Sequence, residues 1–150
     1  MSLTPEERHD VVVYRIEKAD KTLEEARTLV TFKYWGLIAN RLYYAAYYAI
    51  SALLVANEYT AKSHDGTIHL FELHFVKDAV VPQEMGKLVR KLFTRRLTGD
   101  YSDKFDLTEE DVMPLFEPTE QLIEKVTTLA KQTLKYQTDS QTKYLNKSLT

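Results

Sequence analysis

The segment NRLYYAAYYAI, residues 40–50, places one arginine and four tyrosines where a helix would bring them close together. Arg41, Tyr44 and Tyr48 are three and four residues apart, so they share one face of such a helix. A guanidinium keeps its charge in proteins, and burying that charge without a partner is costly. An arginine on so apolar a helix therefore requires a carboxylate from elsewhere in the chain, or an anionic ligand.

The candidate partners of this arginine lie later in the chain. Asp100, at the end of a predicted helix, is the acid that we expect within about 4 Å of the Arg41 guanidinium. His64 would add a hydrogen bond, and Arg96 would stay able to bind an anion. The alternative is that the tyrosines only fill the core, with their hydroxyls at its rim. We predict one partly buried polar cluster that could bind a ligand: Asn40, Arg41, Tyr44, His64, Arg96, Asp100 and Tyr101.

A second candidate surface is basic. Residues 87–104 carry a net charge of +4, whereas residues 105–124 carry −7. Lys87, Lys91 and Arg95 are four residues apart and form a ridge on one helix face, which could contact phosphates. The alternative is a solvated face that is neutralised by the neighbouring acidic segment. The acidic segment argues against a broad nucleic-acid footprint and allows a local one, or a charge-oriented protein partner.

Metal and cofactor chemistry find little support in the sequence. His64, His69 and His74 follow one another at steps of five, which does not align ligands on a helix, and the chain has no cysteine. The four glycines are isolated, so no phosphate-binding loop can be recognised. We therefore predict no metal site and no cofactor.

The elements that position these residues belong to one domain of 150 residues, in which 44% are hydrophobic and 28% charged. The net charge of −2 provides no general attraction to nucleic acid or to membranes. The charged start MSLTPEERHD does not resemble a signal peptide, and no apolar run is long enough for a membrane span. A soluble cytoplasmic protein with no membrane partner is expected.

Helical periodicity runs through the whole chain and predicts an all-α antiparallel bundle of about five helices. Pro114 and Pro118 should bend the last helix or delay its regular start. The bundle is expected to end at residue 136, before a frayed polar tail at 137–150. The predicted helices begin at Thr4 with a capping box, at Trp35, after the cap Ser63, at Pro82 with an end near Gly99, and after the cap Thr108.

The second helix should lie at the centre of the bundle, because it is apolar nearly all round. One of its stripes consists mostly of alanine, which lets the first helix or a partner subunit approach closely: Ile38, Leu42, Ala45, Ala49, Ala52 and Ala56. Together with the aromatic residues Phe32, Tyr34 and Trp35, this stripe predicts a two-fold interface and hence a homodimer.

Three blocks of the sequence carry a family resemblance: Arg41 to Ala45, then His64, then Arg96 to Tyr101. In this arrangement the chain resembles the HEPN domain family over roughly residues 12–130. The resemblance implies a five-helix bundle that tends to dimerise and that occurs alone or beside nucleotidyltransferase-fold proteins. It also implies roles that involve RNA or nucleotides.

The chain departs from the catalytic members of that family. HEPN ribonucleases carry an arginine followed, after four to six residues, by a histidine, and none of the seven arginines here has one. Tyr101 stands where the histidine after Arg96 would be, and a tyrosine is a poor general base at neutral pH. No catalytic residue is therefore predicted. We expect a non-catalytic module that binds a nucleotide, RNA or a nucleotidyltransferase; the alternatives are a ribonuclease toxin with an unconventional site, or a ligand-free dimerisation module.

Overall fold

The computed structural model describes residues 2–101 and 106–149, with side chains described for residues 2–98 and 106–140. These residues form helices and short connections and contain no strand, which confirms the predicted all-α bundle. Six α-helices follow one another: α1 (Pro5–Val30), α2 (Trp35–Ala56), α3 (His64–Phe71), α4 (Gln83–Tyr101), α5 (Glu109–Val112) and α6 (Phe116–Leu149).

Helix α1 begins at the predicted capping box. The Thr4 hydroxyl accepts from the Glu7 amide at 3.1 Å, and the Glu7 carboxylate accepts from the Thr4 amide at 3.1 Å. These bonds satisfy amides that have no partner inside the helix. The helix then buries one apolar stripe, formed by Val12, Ile16, Ala19, Leu23 and Ala26.

Helix α2 is the central helix, as its composition predicts. All six residues of the alanine-rich stripe, from Ile38 to Ala56, are fully buried within the single chain. Helix α1 makes the most extensive contact with α2, and α6 and α4 also pack against it. Of the two partners expected for this stripe, the chain itself covers it, so the stripe is not left for a partner subunit.

Helix α3 starts after Ser63, whose hydroxyl accepts from the Gly66 amide at 2.9 Å. This cap makes His64 the first residue of the helix. The helix does not continue regularly, since α3 passes at Glu72 into a π-helical turn that ends at Val76. Arg90 of α4 donates hydrogen bonds of 2.7 Å to Glu72 in this turn and to Asp65 in α3.

The predicted fifth helix is divided into three parts. Thr108 and Asp111 form a capping box at α5, a 3₁₀ segment at Met113–Leu115 contains Pro114, and α6 begins at Phe116. Pro114 thus delays the regular helix, as expected, whereas Pro118 lies in the first turn of α6. The backbone of α6 continues to Leu149 through the segment expected as a polar tail, and the Gln137 side chain donates to the Ala56 carbonyl at 3.0 Å. The boundary at residue 136 stays a prediction.

The turn between α1 and α2 leaves aromatic side chains exposed. The rings of Phe32 and Tyr34 stack at 5.9 Å and are 59% and 58% exposed, whereas Trp35 is half-buried. None of the described helices combines the length and the hydropathy that crossing a bilayer requires.

Candidate functional site

Four side chains of α2, Tyr43, Tyr44, Tyr47 and Tyr48, form a tyrosine cluster around the predicted polar site. Tyr43 is fully buried, and the other three are half-buried at the surface. The rings of Tyr43 and Tyr44 meet edge to face at 5.2 Å, and those of Tyr44 and Tyr48 lie 6.0 Å apart. The helical step places these rings side by side, so the cluster presents an aromatic surface with several hydroxyl groups.

His64 joins the tyrosine cluster from the start of α3. Its ring stacks on that of Tyr47 at 4.3 Å, and its Nδ1 lies 2.8 Å from the Tyr43 hydroxyl. Burial, followed by the positive charge of Arg96, lowers the pKa of His64. Burial also raises the pKa of Tyr43. The phenol therefore keeps its proton and can donate it to an unprotonated Nδ1 of a neutral imidazole.

Arg96 reaches the same place from α4. It donates from Nη2 to the Tyr44 hydroxyl at 3.1 Å, and its guanidinium carbon lies 5.4 Å from the centre of the Tyr44 ring and 5.8 Å from that of Tyr43. These distances fall within the range of cation–π interaction. Phe93, one turn earlier on α4, packs against Tyr43 at 5.6 Å and helps to hold α4 against the cluster.

Arg41 contacts side chains of α1 and of its own helix. Its Nη1 forms an ion pair with Glu25 of α1 at 3.4 Å, and its Nε and Nη2 both donate to the Asn40 side-chain oxygen, at 3.0 and 2.8 Å. Its guanidinium carbon also lies 5.5 Å from the centre of the Tyr44 ring. The side chain of Asp100, the acid predicted for Arg41, lies outside the described residues, so the proposed pair with Asp100 stays a prediction.

Five of the seven residues proposed for the polar cluster are in contact with one another. Arg41, His64 and Arg96 each contact Tyr44, and Asn40 contacts Arg41. The side chain of Tyr101, like that of Asp100, lies outside the described part. The sequence-based prediction omitted Tyr43 and Tyr47, which contact His64, because they lie on a different face of the helix from Arg41 and Tyr44. It also missed Glu25, whose spacing from Arg41 carries no local signal.

The basic ridge lies on α4 beside the residues that face the cluster. Lys87 and Lys91 are exposed, and Arg95 is half-buried and close enough to Asp111 to contribute to the lowered pKa of that carboxyl, which is caused mainly by hydrogen bonds with Thr108. Within the described side chains, none of the three ridge residues forms an ion pair shorter than 4.0 Å. Lys87 and Lys91 are thus solvated cations, and contact of the ridge with phosphates stays a prediction.

The fold and the cluster define a class of protein: an all-α bundle whose central helix carries an aromatic and cationic polar site. Comparison with known proteins agrees with the resemblance of the sequence, since residues 12–131 match the model of the HEPN domain family. The chain belongs to the HEPN domain family.

Similar proteins come from bacteria and archaea. A UPF0332 protein of Thermotoga maritima is 34% identical over 71% of this chain and 80% of its own length. Two proteins of Methanocaldococcus jannaschii that carry the name "Putative toxin" are each 29% identical. One is matched over 64% of this chain and 65% of its own length, and the other over 79% and 88%.

Proposed function

We propose that this HEPN-domain protein binds RNA without cleaving it, in a toxin-like setting, through the tyrosine cluster and Arg96. The observation that supports the proposal most strongly is the position of Arg96. Its guanidinium lies over two tyrosine rings and is hydrogen-bonded to Tyr44, beside the half-buried rings of Tyr47 and His64.

This combination suits a single-stranded nucleic acid. An arginine held in a fixed orientation can pair with a phosphate, and half-buried aromatic rings can stack on unpaired bases. The two kinds of contact lie side by side in the tyrosine cluster, as a strand with alternating bases and phosphates requires. Lys87 and Lys91, on the exposed face of α4, would supply separate phosphate contacts.

The surroundings of His64 favour binding over cleavage. Its Nδ1 is occupied by the Tyr43 hydroxyl, and its ring is stacked on Tyr47. A general base needs a free nitrogen within hydrogen-bond reach of the proton that it removes. If Nδ1 accepts from the Tyr43 phenol, the neutral imidazole carries its proton on Nε2 and has no free nitrogen to act as a base. The spacing of the catalytic family members is also absent, so we assign His64 a role in positioning the tyrosines.

A ribonuclease is the second candidate function, and one specific observation favours it. Folding brings a histidine and an arginine, His64 and Arg96, to the same tyrosine rings although they are 32 residues apart in the chain. Two relatives also carry the name "Putative toxin". The two functions make opposite predictions for the fate of bound RNA.

The test measures binding and integrity of a labelled single-stranded RNA with the same preparations. We expect the wild type to bind it and leave it intact, and Arg96→Gln to bind about tenfold more weakly through loss of a charged contact. Lys131→Gln, at an exposed position of α6, is the control for a loss of charge alone. Because Arg96→Gln could disturb packing, Tyr44→Phe, which removes only the hydroxyl, is measured beside it.

Three results would overturn the proposal. Equal RNA binding by the wild type and both cluster variants would place the RNA elsewhere on the molecule. A wild type that binds no RNA would also contradict the proposal. Cleavage by the wild type that disappears in His64→Gln would assign the ribonuclease function instead.

We also propose that the protein is a homodimer and that a nucleotidyltransferase-fold protein is its partner. The exposed aromatic turn at Phe32 and Tyr34 supports an interface at that end of the bundle. Co-purification of the tagged chain with a co-expressed nucleotidyltransferase-fold protein from the same genome tests the second part. A partner that elutes separately from the chain would contradict it.

A further inference from the structure

A partly open cavity of about 540 Å³ is lined by Tyr47 and Tyr48 of the tyrosine cluster. It is bounded by α1, by α2 and by the connection that leads to α3. A cavity of this size is typical of small-molecule sites. The side chains that matter for its chemistry are Tyr14, Arg15, Lys18, Tyr48, Ser51 and Tyr59.

The cavity is cationic although the protein as a whole is acidic. Its lining includes Arg15 and Lys18 and contains no aspartate or glutamate. Among the described residues, neither Arg15 nor Lys18 has a carboxylate within ion-pair distance. Other arginines of α1 and α4 do have one, since Arg8, Arg27 and Arg90 each pair with an acid.

Both cations are held by neutral groups. Arg15 donates from Nη1 to the buried hydroxyl of Ser51. The Lys18 ammonium lies 4.9 Å from the centre of the Tyr48 ring and 5.7 Å from that of Tyr14. Contacts with a hydroxyl and with aromatic faces orient the two cations without neutralising them, so the charge stays available to an anion in the cavity.

From this arrangement, we propose that the cavity binds a small compound in which a planar aromatic ring carries a phosphate. Arg15 and Lys18 would pair with the phosphate, and the rings of Tyr48 and Tyr59 would pack against the aromatic part. The site is separate from the Arg96 surface: it uses different cations, and it shares only Tyr47 and Tyr48 with the tyrosine cluster. The proposal does not depend on RNA binding.

The test is calorimetric titration of the full chain with adenosine 5′-monophosphate, adenosine and inorganic phosphate. We expect the nucleotide to bind at one site, and each of its two fragments to bind at least about tenfold more weakly, because each makes only part of the contacts. Lys18→Gln and Arg15→Gln should each weaken nucleotide binding by about tenfold. Lys21→Gln, an exposed lysine on the same helix, is the matched control and should bind as the wild type does.

Lys18→Gln serves as the second variant if Arg15→Gln, which loses the bond to Ser51, does not fold. A wild type that binds no nucleotide, or equal weakening in Lys18→Gln and Lys21→Gln, would overturn the proposal. Nucleotide binding that is lost in Arg96→Gln and kept in Lys18→Gln would place the ligand on the RNA surface and would also overturn it. RNA binding that fails while the nucleotide still requires Lys18 would refute the proposed function and leave this site standing.

Discussion

At the scale of single residues, His64 shows how the environment sets the state of a side chain. Its ring is enclosed by Tyr43, Tyr44 and Tyr47. Burial, followed by the positive charge of Arg96, lowers the pKa of His64. The lowered pKa means that the neutral imidazole is the form that fits the folded protein. The same side chain is free to gain a proton in the unfolded chain, where its pKa is near 6.5.

This difference predicts a pH dependence of stability. Between the pKa of about 6.5 in the unfolded chain and the lower pKa in the folded protein, the unfolded state binds more protons. The contribution of His64 is therefore complete above pH 6.5 and is lost as the pH falls toward the folded pKa. Urea unfolding at a series of pH values should show this decline, and His64→Gln should flatten it. His69→Gln, at an exposed position of the same helix, is the control, and an equally flattened profile there would contradict the assignment.

At the scale of elements, the close packing of α1 on α2 depends on small side chains. Ala45, Ala49 and Ala52 are fully buried on the central helix, where a larger residue would have no room. The polar residues of α2 lie on its other faces, while α1, α4 and α6 all pack against this helix. Both Glu25, which pairs with Arg41, and the cavity cations Arg15 and Lys18 are placed by this packing.

Enlarging a residue of the stripe should therefore destabilise the protein. We expect Ala49→Leu to lower the free energy of unfolding by about 1–3 kcal/mol through overpacking. Thr128→Leu adds a leucine at an exposed position of α6 and should change stability by less than about 0.5 kcal/mol. The measurement is urea unfolding followed by circular dichroism. Equal stability of Ala49→Leu and the wild type would mean that the α1–α2 contact is looser than the structure shows.

At the scale of the whole molecule, the exposed aromatic turn is the feature that points beyond the single chain. Phe32, Tyr34 and Leu37 are all about half or more exposed at one end of the bundle, in contrast to the buried alanine stripe. Apolar surface of this kind is covered in many proteins by a symmetric partner. The proposed homodimer therefore rests on this turn, and the alanine stripe no longer supports it.

Sedimentation of the wild type at micromolar concentration should show a dimer, and the double variant Phe32→Ser, Tyr34→Ser should shift it to the monomer with an unchanged circular dichroism spectrum. Tyr136→Ser is the control, since Tyr136 is 74% exposed on α6, away from the turn in sequence. A wild type that sediments only as a monomer would remove the dimer proposal. A dimer that survives the double variant would place the interface elsewhere.

The sequence by itself determined the class of fold and the family. Several features follow from local rules that act over three or four residues. They are the capping box at Thr4, the buried stripe from Val12 to Ala26, and the start of α6 that Pro114 delays. The three motif blocks were sufficient to indicate the HEPN domain family, which the match over residues 12–131 confirms. The local features could be predicted because each depends on residues that are close together in the chain.

Only the tertiary structure decided which side chains meet between elements. Glu25 lies 16 residues before Arg41, and Ser51 lies 36 residues after Arg15, so neither pair has a spacing that a pattern could reveal. The direction from which α1 and α3 approach α2 selects these partners and brings His64 to Tyr43 and Tyr47. Long side chains can reach several acids or rings in a bundle, and packing geometry determines which of them lies within hydrogen-bond distance.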